Sequence, residues 1–123
     1  MSSERYTLEA AADLSAKQYH FVRYVATQKC NQASEAANSG LVGVLQNKPK
    51  SGEPATVFDG GLAKVVAGGA ITAGDILTTN SSGRAAVVTS GQMAGGRALT
   101  AAGADGEILE VKLFPPVKWF GAP

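Results

Sequence analysis

From residue 41 onward, short apolar runs alternate with turn residues at intervals of 8 to 12 positions. Runs of four to seven residues rich in Val, Ile and Leu and separated by Gly, Asn and Asp are typical of β-strands in a sandwich or barrel. The last run alternates most clearly, with Leu109 and Val111 on one side and Glu110 and Lys112 on the other, which predicts a half-buried strand. The predicted strands are residues 41–45, 54–58, 62–66, 75–79, 84–88, 96–99 and 108–114.

The first 39 residues have a different pattern, because they contain no glycine, whereas 14 of the 15 glycines lie between residues 40 and 106. We expect an extended N-terminal arm over residues 1–18, with one helical turn over 7–14 as an alternative. Residues 19–25 are dense in aromatic and β-branched side chains and predict the first strand. Residues 31–38 predict one or two helical turns that Gly40 ends.

These patterns predict a mainly β fold, namely a small Gly-rich β-barrel or β-sandwich with short strands and at most one or two short helices. The predicted organisation is an arm over residues 1–18, a single β domain over 19–114 and an extended C-terminal tail over 115–123. A Gly-Glu-x-x-x-Val segment also occurs twice, at an offset of 54 residues. It indicates either two strand-loop-strand units in a pseudo-twofold barrel or a chance similarity in a Gly- and Val-rich chain.

Charge and composition narrow the classes of function. The formal net charge of the 123 residues is +1, and the charges of both signs are spread along the chain, so direct nucleic-acid binding is not expected. No apolar segment approaches the length of about 20 residues that spans a membrane. The first six residues lack the apolar run of a signal peptide, so we expect synthesis in a cytoplasm.

The stretch GGAITAGDILTTNSSGRAAVV, residues 68–88, spaces Gly69 and Gly74 as a phosphate-binding loop would. Such a loop needs Lys and then Ser or Thr after the second glycine, whereas Asp75 follows Gly74 here. A turn in which Gly74 has a positive φ and Asp75 accepts a hydrogen bond from a nearby amide is the favoured interpretation.

The sequence predicts neither an enzyme nor a metal or cofactor site. His20 and Cys30 are the only His and Cys residues, which is too few for a zinc site. The sequence contains no Gly-x-Ser-x-Gly nucleophile elbow for which His20 could be the catalytic base. Glu53 and Glu107 each follow a turn glycine and are expected to be turn residues rather than a catalytic carboxylate pair.

The tail is the part of the sequence most suited to contacts with partners. Residues 114–123 contain the single Trp, two of the four Phe and three of the five Pro. Trp and Phe anchor protein interfaces, and proline ends a strand near Phe114, although a tail that packs back on its own barrel is equally open. The candidate interface residues from both ends of the chain are Tyr6, Leu8, Leu14, Phe114, Trp119 and Phe120.

Four motifs in sequence order resemble the capsid cement, or decoration, proteins of tailed bacteriophages. The resemblance covers about residues 13–114. The motifs are DLSAKQY at 13–19, GVLQNKP at 43–49 with Gly-Glu at 52–53, AITAGDILTT at 70–79, and GRAL at 96–99 with ADGEI at 104–108.

The resemblance implies a structural protein that binds the outer surface of an assembled phage head, often as a trimer, and stabilises the shell. The implied partners are the major capsid protein and further copies of this chain. The implied location is the outer capsid surface of the virion, after synthesis in the bacterial cytoplasm. The family has no catalytic residues to carry over.

The alternative function is a ligand- or glycan-binding β-barrel module of a phage tail or fibre. It predicts an exposed aromatic platform, whereas Phe58 is the only aromatic residue between positions 40 and 113.

Overall fold

Ten β-strands follow one another along the chain, and no helix occurs in the ranges that the structure, a computed structural model, describes: residues 5–33, 41–88 and 91–118. The predicted mainly β class is confirmed. The strands are β1 (Arg5–Ala10), β2 (Phe21–Ala26), β3 (Lys29–Gln32), β4 (Leu41–Leu45), β5 (Pro54–Phe58), β6 (Gly61–Val66), β7 (Ile76–Thr79), β8 (Ala85–Val87), β9 (Met93–Ala98) and β10 (Ile108–Lys118).

The first five strands form a closed barrel in the order β1-β3-β2-β4-β5. β1 pairs antiparallel with β5, with Thr7 opposite Thr56, and parallel with β3, with Ala10 opposite Cys30. Residues 5–10 are therefore a barrel strand and not a free arm or a helical turn. Side chains of the barrel core are Leu8, Ala10, Leu14, Val22, Cys30, Leu45, Ala55 and Val57.

The prediction of helical turns over residues 31–38 is wrong for the first two residues of that segment. Asn31 and Gln32 belong to β3, which pairs antiparallel with β2. Residues 34–40, the rest of that segment and Gly40, lie outside the described residues.

The last five strands repeat the path of the first five. Their order is β6-β10-β9-β7-β8, which is the first order with each label raised by five and opened between β6 and β8. In the first barrel the equivalent strands, β1 and β3, meet in parallel at Ala10 and Cys30. In the second sheet an isolated parallel bridge between Ala67 and Ala85 joins the ends of β6 and β8.

The two Gly-Glu-x-x-x-Val segments occupy equivalent corners of the two halves. The Ala10 amide donates a hydrogen bond to the Glu53 carbonyl oxygen at 2.9 Å, and the Ala67 amide donates one to the Glu107 carbonyl oxygen at 2.7 Å. The glycine before each glutamate donates back to the same alanine, at 2.8 Å in both halves. Because pairings and corner hydrogen bonds correspond, the structure favours the repeat over a chance similarity.

The two halves share a core at their junction. Phe21, Val44 and Phe58 point away from the interior of the first barrel, because their strand neighbours fill it, and they pack against the second sheet. A Cβ atom at Gly95 would lie 2.9 Å from Cε1 of Phe21, so the absence of a side chain there makes room for the ring. The Phe21 amide also donates to the Gly83 carbonyl oxygen at 2.7 Å.

The corner predicted at Gly74 is present, with a φ of 97°. The repeat places Tyr19, with a φ of 68°, at the equivalent position. The amides of both residues donate to a carbonyl oxygen at 2.7 Å, Tyr19 to Leu45 and Gly74 to Ala98. Asp75 accepts a hydrogen bond from the Thr72 amide at 2.9 Å, as predicted for this turn.

Phe21→Ala is expected to lower the free energy of unfolding by about 3–5 kcal/mol, because the ring fills a closed core and leaves a cavity. Guanidinium unfolding measures the change. Leu62→Ala, which truncates an exposed side chain, is the control and should change stability by less than about 0.5 kcal/mol. A loss below about 1 kcal/mol for Phe21→Ala would contradict the shared core.

Gly74→Ala is expected to cost about 1–2 kcal/mol in stability through its left-handed backbone alone, because a Cβ there meets open space. Gly69→Ala is the matched control, since that site is equally open and has no positive φ. Thermal unfolding should separate the two variants, and equal melting temperatures would contradict the assignment.

Candidate interaction surface

Leu8 and Leu14, two of the predicted contact residues, lie inside the first barrel. Their side chains are 6% and 2% exposed, because alternation along β1 turns Leu8 inward and the chain after β1 folds Leu14 back over the same core. Their prediction as surface anchors is therefore corrected. Tyr6 pairs with Val57 through its backbone, and its side chain lies outside the description, as do Trp119 and Phe120.

Phe114 is half-buried and packs against its own sheet. It contacts a small cluster of Ile76, Val88 and Ala94. This is the alternative in which the start of the tail folds back on the protein.

The last strand does not end near Phe114 as predicted. β10 runs to Lys118 and pairs with β9 again where Val117 lies opposite Ala94. The ladder is irregular between Leu113 and Val117, which is where the two prolines stand. Proline is tolerated at such a bulge because no ladder hydrogen bond is needed from it.

A continuous set of exposed side chains covers the side of β6, β10 and β9 that faces away from the core. We name it the second-sheet outer face. Register sets its rows, with Lys112 opposite both Leu62 and Arg97, and Glu110 opposite Lys64. Its members are Leu62, Lys64, Arg97, Leu99, Ile108, Glu110 and Lys112.

This face gathers large apolar side chains that are open to water. Leu62 is 63% exposed, Ile108 53% and Leu99 46%. They are three of the six exposed large apolar residues in the described part of the chain. Single exposed apolar side chains are ordinary, but three of them share one face with cationic side chains here, which makes this face the candidate interaction surface.

The second-sheet outer face also carries an excess of positive charge. Lys64, Arg97 and Lys112 stand against Glu110 alone. Ion pairs of the described residues lie elsewhere, at Lys29–Glu9 and Arg84–Asp105. Lys112 faces Arg97 across the ladder, an arrangement of like charges that destabilises a sheet slightly.

A cleft of about 370 Å³ lies next to this face at the junction of the halves, and Tyr19, Lys48 and Ile108 are among its lining residues. His20 lies in its wall and is buried. Its Nδ1 lies 3.1 Å from the Gln18 carbonyl oxygen. Since a carbonyl only accepts, Nδ1 carries the proton and Nε2 is the acceptor.

His20 connects the two halves through Arg84. The Nε–H of Arg84 donates to His20 Nε2 at 3.4 Å, and its Nη1 forms an ion pair with Asp105 Oδ1 at 2.7 Å. Burial of the imidazole is the main cause that holds the pKa of His20 below its usual value, with the nearby Lys17 and Arg84 charges adding to it. The arrangement favours the neutral ring.

The other residues considered for chemistry have structural partners. Glu53 Oε1 accepts a hydrogen bond from the Lys50 amide and Glu107 Oε1 one from the Gly103 amide, both at 2.8 Å. Burial raises the pKa of the Cys30 thiol to about 11.

In residues 5–33, 41–88 and 91–118, no group of three or more His, Cys, Asp and Glu residues is placed to hold a metal ion. The same ranges contain no helix long and apolar enough to cross a membrane.

The family model of the phage cement proteins matches residues 4–113. The chain belongs to this family. The resemblance inferred from the four motifs is thereby confirmed, and with it a structural role at a phage head. Comparison of this cement protein with curated proteins gives no match.

Among solved structures, this cement protein is similar to the N base of head fiber gp8.5 of bacteriophage phi29. The TM-score is 0.69 at 21% sequence identity, over 89% of this chain and 92% of that chain. The likeness establishes a common fold.

Sequence reasoning missed most of the second-sheet outer face of this cement protein. The alternation of the last strand correctly placed Glu110 and Lys112 outside, and the same parity places Ile108 there. Leu62 and Arg97 join them only through the register of β10 with β6 and β9, which no local pattern contains.

The neutral His20 predicts a pH dependence of stability. The pKa of His20 in the folded protein lies below the ordinary 6.5, so the unfolded chain binds more protons near that pH. The stabilisation of the fold by the neutral imidazole is therefore complete above pH 6.5 and is lost as the pH falls below it. The free energy of unfolding should decrease from pH 7.5 to 5, and His20→Asn, which keeps a donor for Gln18, should reduce that slope. Equal slopes in chemical unfolding of the two proteins would contradict the assignment.

Proposed function

We propose that this cement protein is a decoration protein that binds the outer surface of an assembled phage head and stabilises the shell. The observation that carries the proposal is the family match over residues 4–113. The second-sheet outer face supports it physically, because it exposes aliphatic side chains and an arginine, which are groups that protein interfaces use.

The proposed partner is the major capsid protein, and the proposed bound form is a trimer. Stabilisation then follows from linkage, because a ligand that binds only the intact lattice shifts the equilibrium away from the opened shell. A free protein concentration of 100 times the dissociation constant stabilises the intact lattice by about 2.7 kcal/mol for each site. A trimer docked through three contacts gains avidity beyond any single contact.

The proposed role is not enzymatic and involves no cofactor, metal ion, nucleic acid or membrane. It is supported by the side chains that could otherwise take part in catalysis, because these have structural roles. His20 connects the halves, while Glu53 and Glu107 bind turn amides. The proposed location is the outside of the virion, after synthesis in the host cytoplasm.

A ligand- or glycan-binding module was the alternative from the sequence. Such a site needs an aromatic platform. Among the exposed large apolar side chains of the described residues, Tyr24 is the aromatic one, and its hydroxyl accepts a hydrogen bond from the Gln28 amide. Tyr24 alone forms no platform, so the described residues do not provide the feature that this alternative predicts, and we prefer the head-binding role on the family match.

Binding to purified heads that lack this protein tests the proposal. The protein should sediment with the heads, saturate at a fixed ratio to the capsid subunits, and raise the temperature at which the heads release DNA. Heads incubated with serum albumin are the control. Failure to sediment would contradict head binding, and saturation without a change in the release temperature would contradict stabilisation.

A further inference from the structure

The contact between the halves identifies one side of this repeat as a docking side. In the first half, a row of paired residues on β2, β4 and β5 points out of the barrel, with Val44 opposite both Phe21 and Phe58. Phe21 and Val44 are buried against the second sheet, and Phe58 is partly buried against it. The outer side of a repeat is therefore used as an interface within the chain itself.

The second half has an equivalent row that the described residues of the first half leave uncovered. On the ladders of β7, β9 and β10, Arg97 lies opposite both Ile76 and Lys112. Ile76 is covered by the local cluster with Phe114. Arg97 and Lys112 are exposed, and Leu62 continues the row on β6.

The chemistry of this row differs from that of the first half in a way that specifies its partner. Apolar Val44 and Phe58 correspond to Arg97 and Lys112, so the second row does not fit another apolar core. Two opposed cations repel each other, and a carboxylate placed between them would remove the repulsion. Leu62 opposite Lys112, Leu99 two residues after Arg97, and Ile108 farther along β10 provide apolar area that a partner can bury.

A second copy bound through the same face fits poorly. A twofold contact would bring the face against itself and oppose its excess of cations with an identical excess. An acidic surface with an apolar patch is complementary in both respects.

We propose that the second-sheet outer face is the surface with which this cement protein docks on the head, against a shell surface that carries carboxylates around an apolar patch. This inference rests on the proposed function. It assigns docking to the middle of the second half rather than to the ends of the chain.

Charge reversal on the face tests the inference. Lys112→Glu and Arg97→Glu should each raise the dissociation constant for heads at least about tenfold, and should weaken the dependence of binding on salt, because complementary charges are lost. Lys50→Glu, an equal reversal of an exposed cation in the first half, should change binding less than about threefold. Circular dichroism melts confirm that each variant folds.

Two substitutions of apolar residues distinguish the effect of apolar contact on binding from the effect of charge. Leu62→Gln should weaken binding to heads, whereas Val87→Gln, on an exposed position of the edge strand β8, should not. If the wild-type protein binds heads and all face variants bind equally well, the inference is overturned and the proposed function stands. If the wild-type protein does not bind heads, the inference and the proposed function both fail. If the face variants change only self-association in sedimentation velocity, the face is a contact between copies and the inference is overturned.

Discussion

The burial of Phe21 across the junction is the contact on which the rest of this structure depends. The ring belongs to a strand of the first barrel, yet it is fully buried in a core built mostly from the second sheet. That second core contains many alanines, and glycines 95 and 96 let the Phe21 and Val111 side chains pack closely against the β9 backbone. A core with few aromatic residues is thus completed by the Phe21 ring from the neighbouring half, with Phe58 partly buried against it.

The repeat explains how one strand pattern provides both stability and a contact surface. In each half the inward positions fill a small apolar core, and outward positions of paired strands form a row across the ladder. The first row is apolar and is used within the chain. The second row carries Arg97 and Lys112, which are exposed among the described residues, and it is the row that we propose to dock on a phage head.

Local pattern was sufficient for the strands whose core positions alternate and whose ends are turn residues. β4 and β5 begin and end where the sequence predicted, and the outward position of Glu110 and Lys112 followed from alternation alone. β1 and β3 were not predicted, because neither has a pronounced apolar run. β1 is defined by pairing with β5 almost 50 residues later, and this pairing turns Leu8 into the core.

The candidate surface was harder to predict for the same reason. Composition predicted contacts at the two ends of the chain, from the glycine-free N-terminal segment and the aromatic and proline residues of the tail. The exposed face instead consists of residues on β6, β9 and β10 that only register brings together. The equivalence of the halves was visible in the sequence as one short motif, because most equivalent positions differ in residue type, as Tyr19 and Gly74 do.

Electron cryomicroscopy of heads saturated with this protein would show which face of the protein meets the shell, since the asymmetry between the two halves defines the orientation of the bound molecule. We expect β6, β10 and β9 to lie against the shell, with capsid carboxylates near Arg97 and Lys112. A bound protein whose second-sheet outer face points into solvent would contradict this expectation.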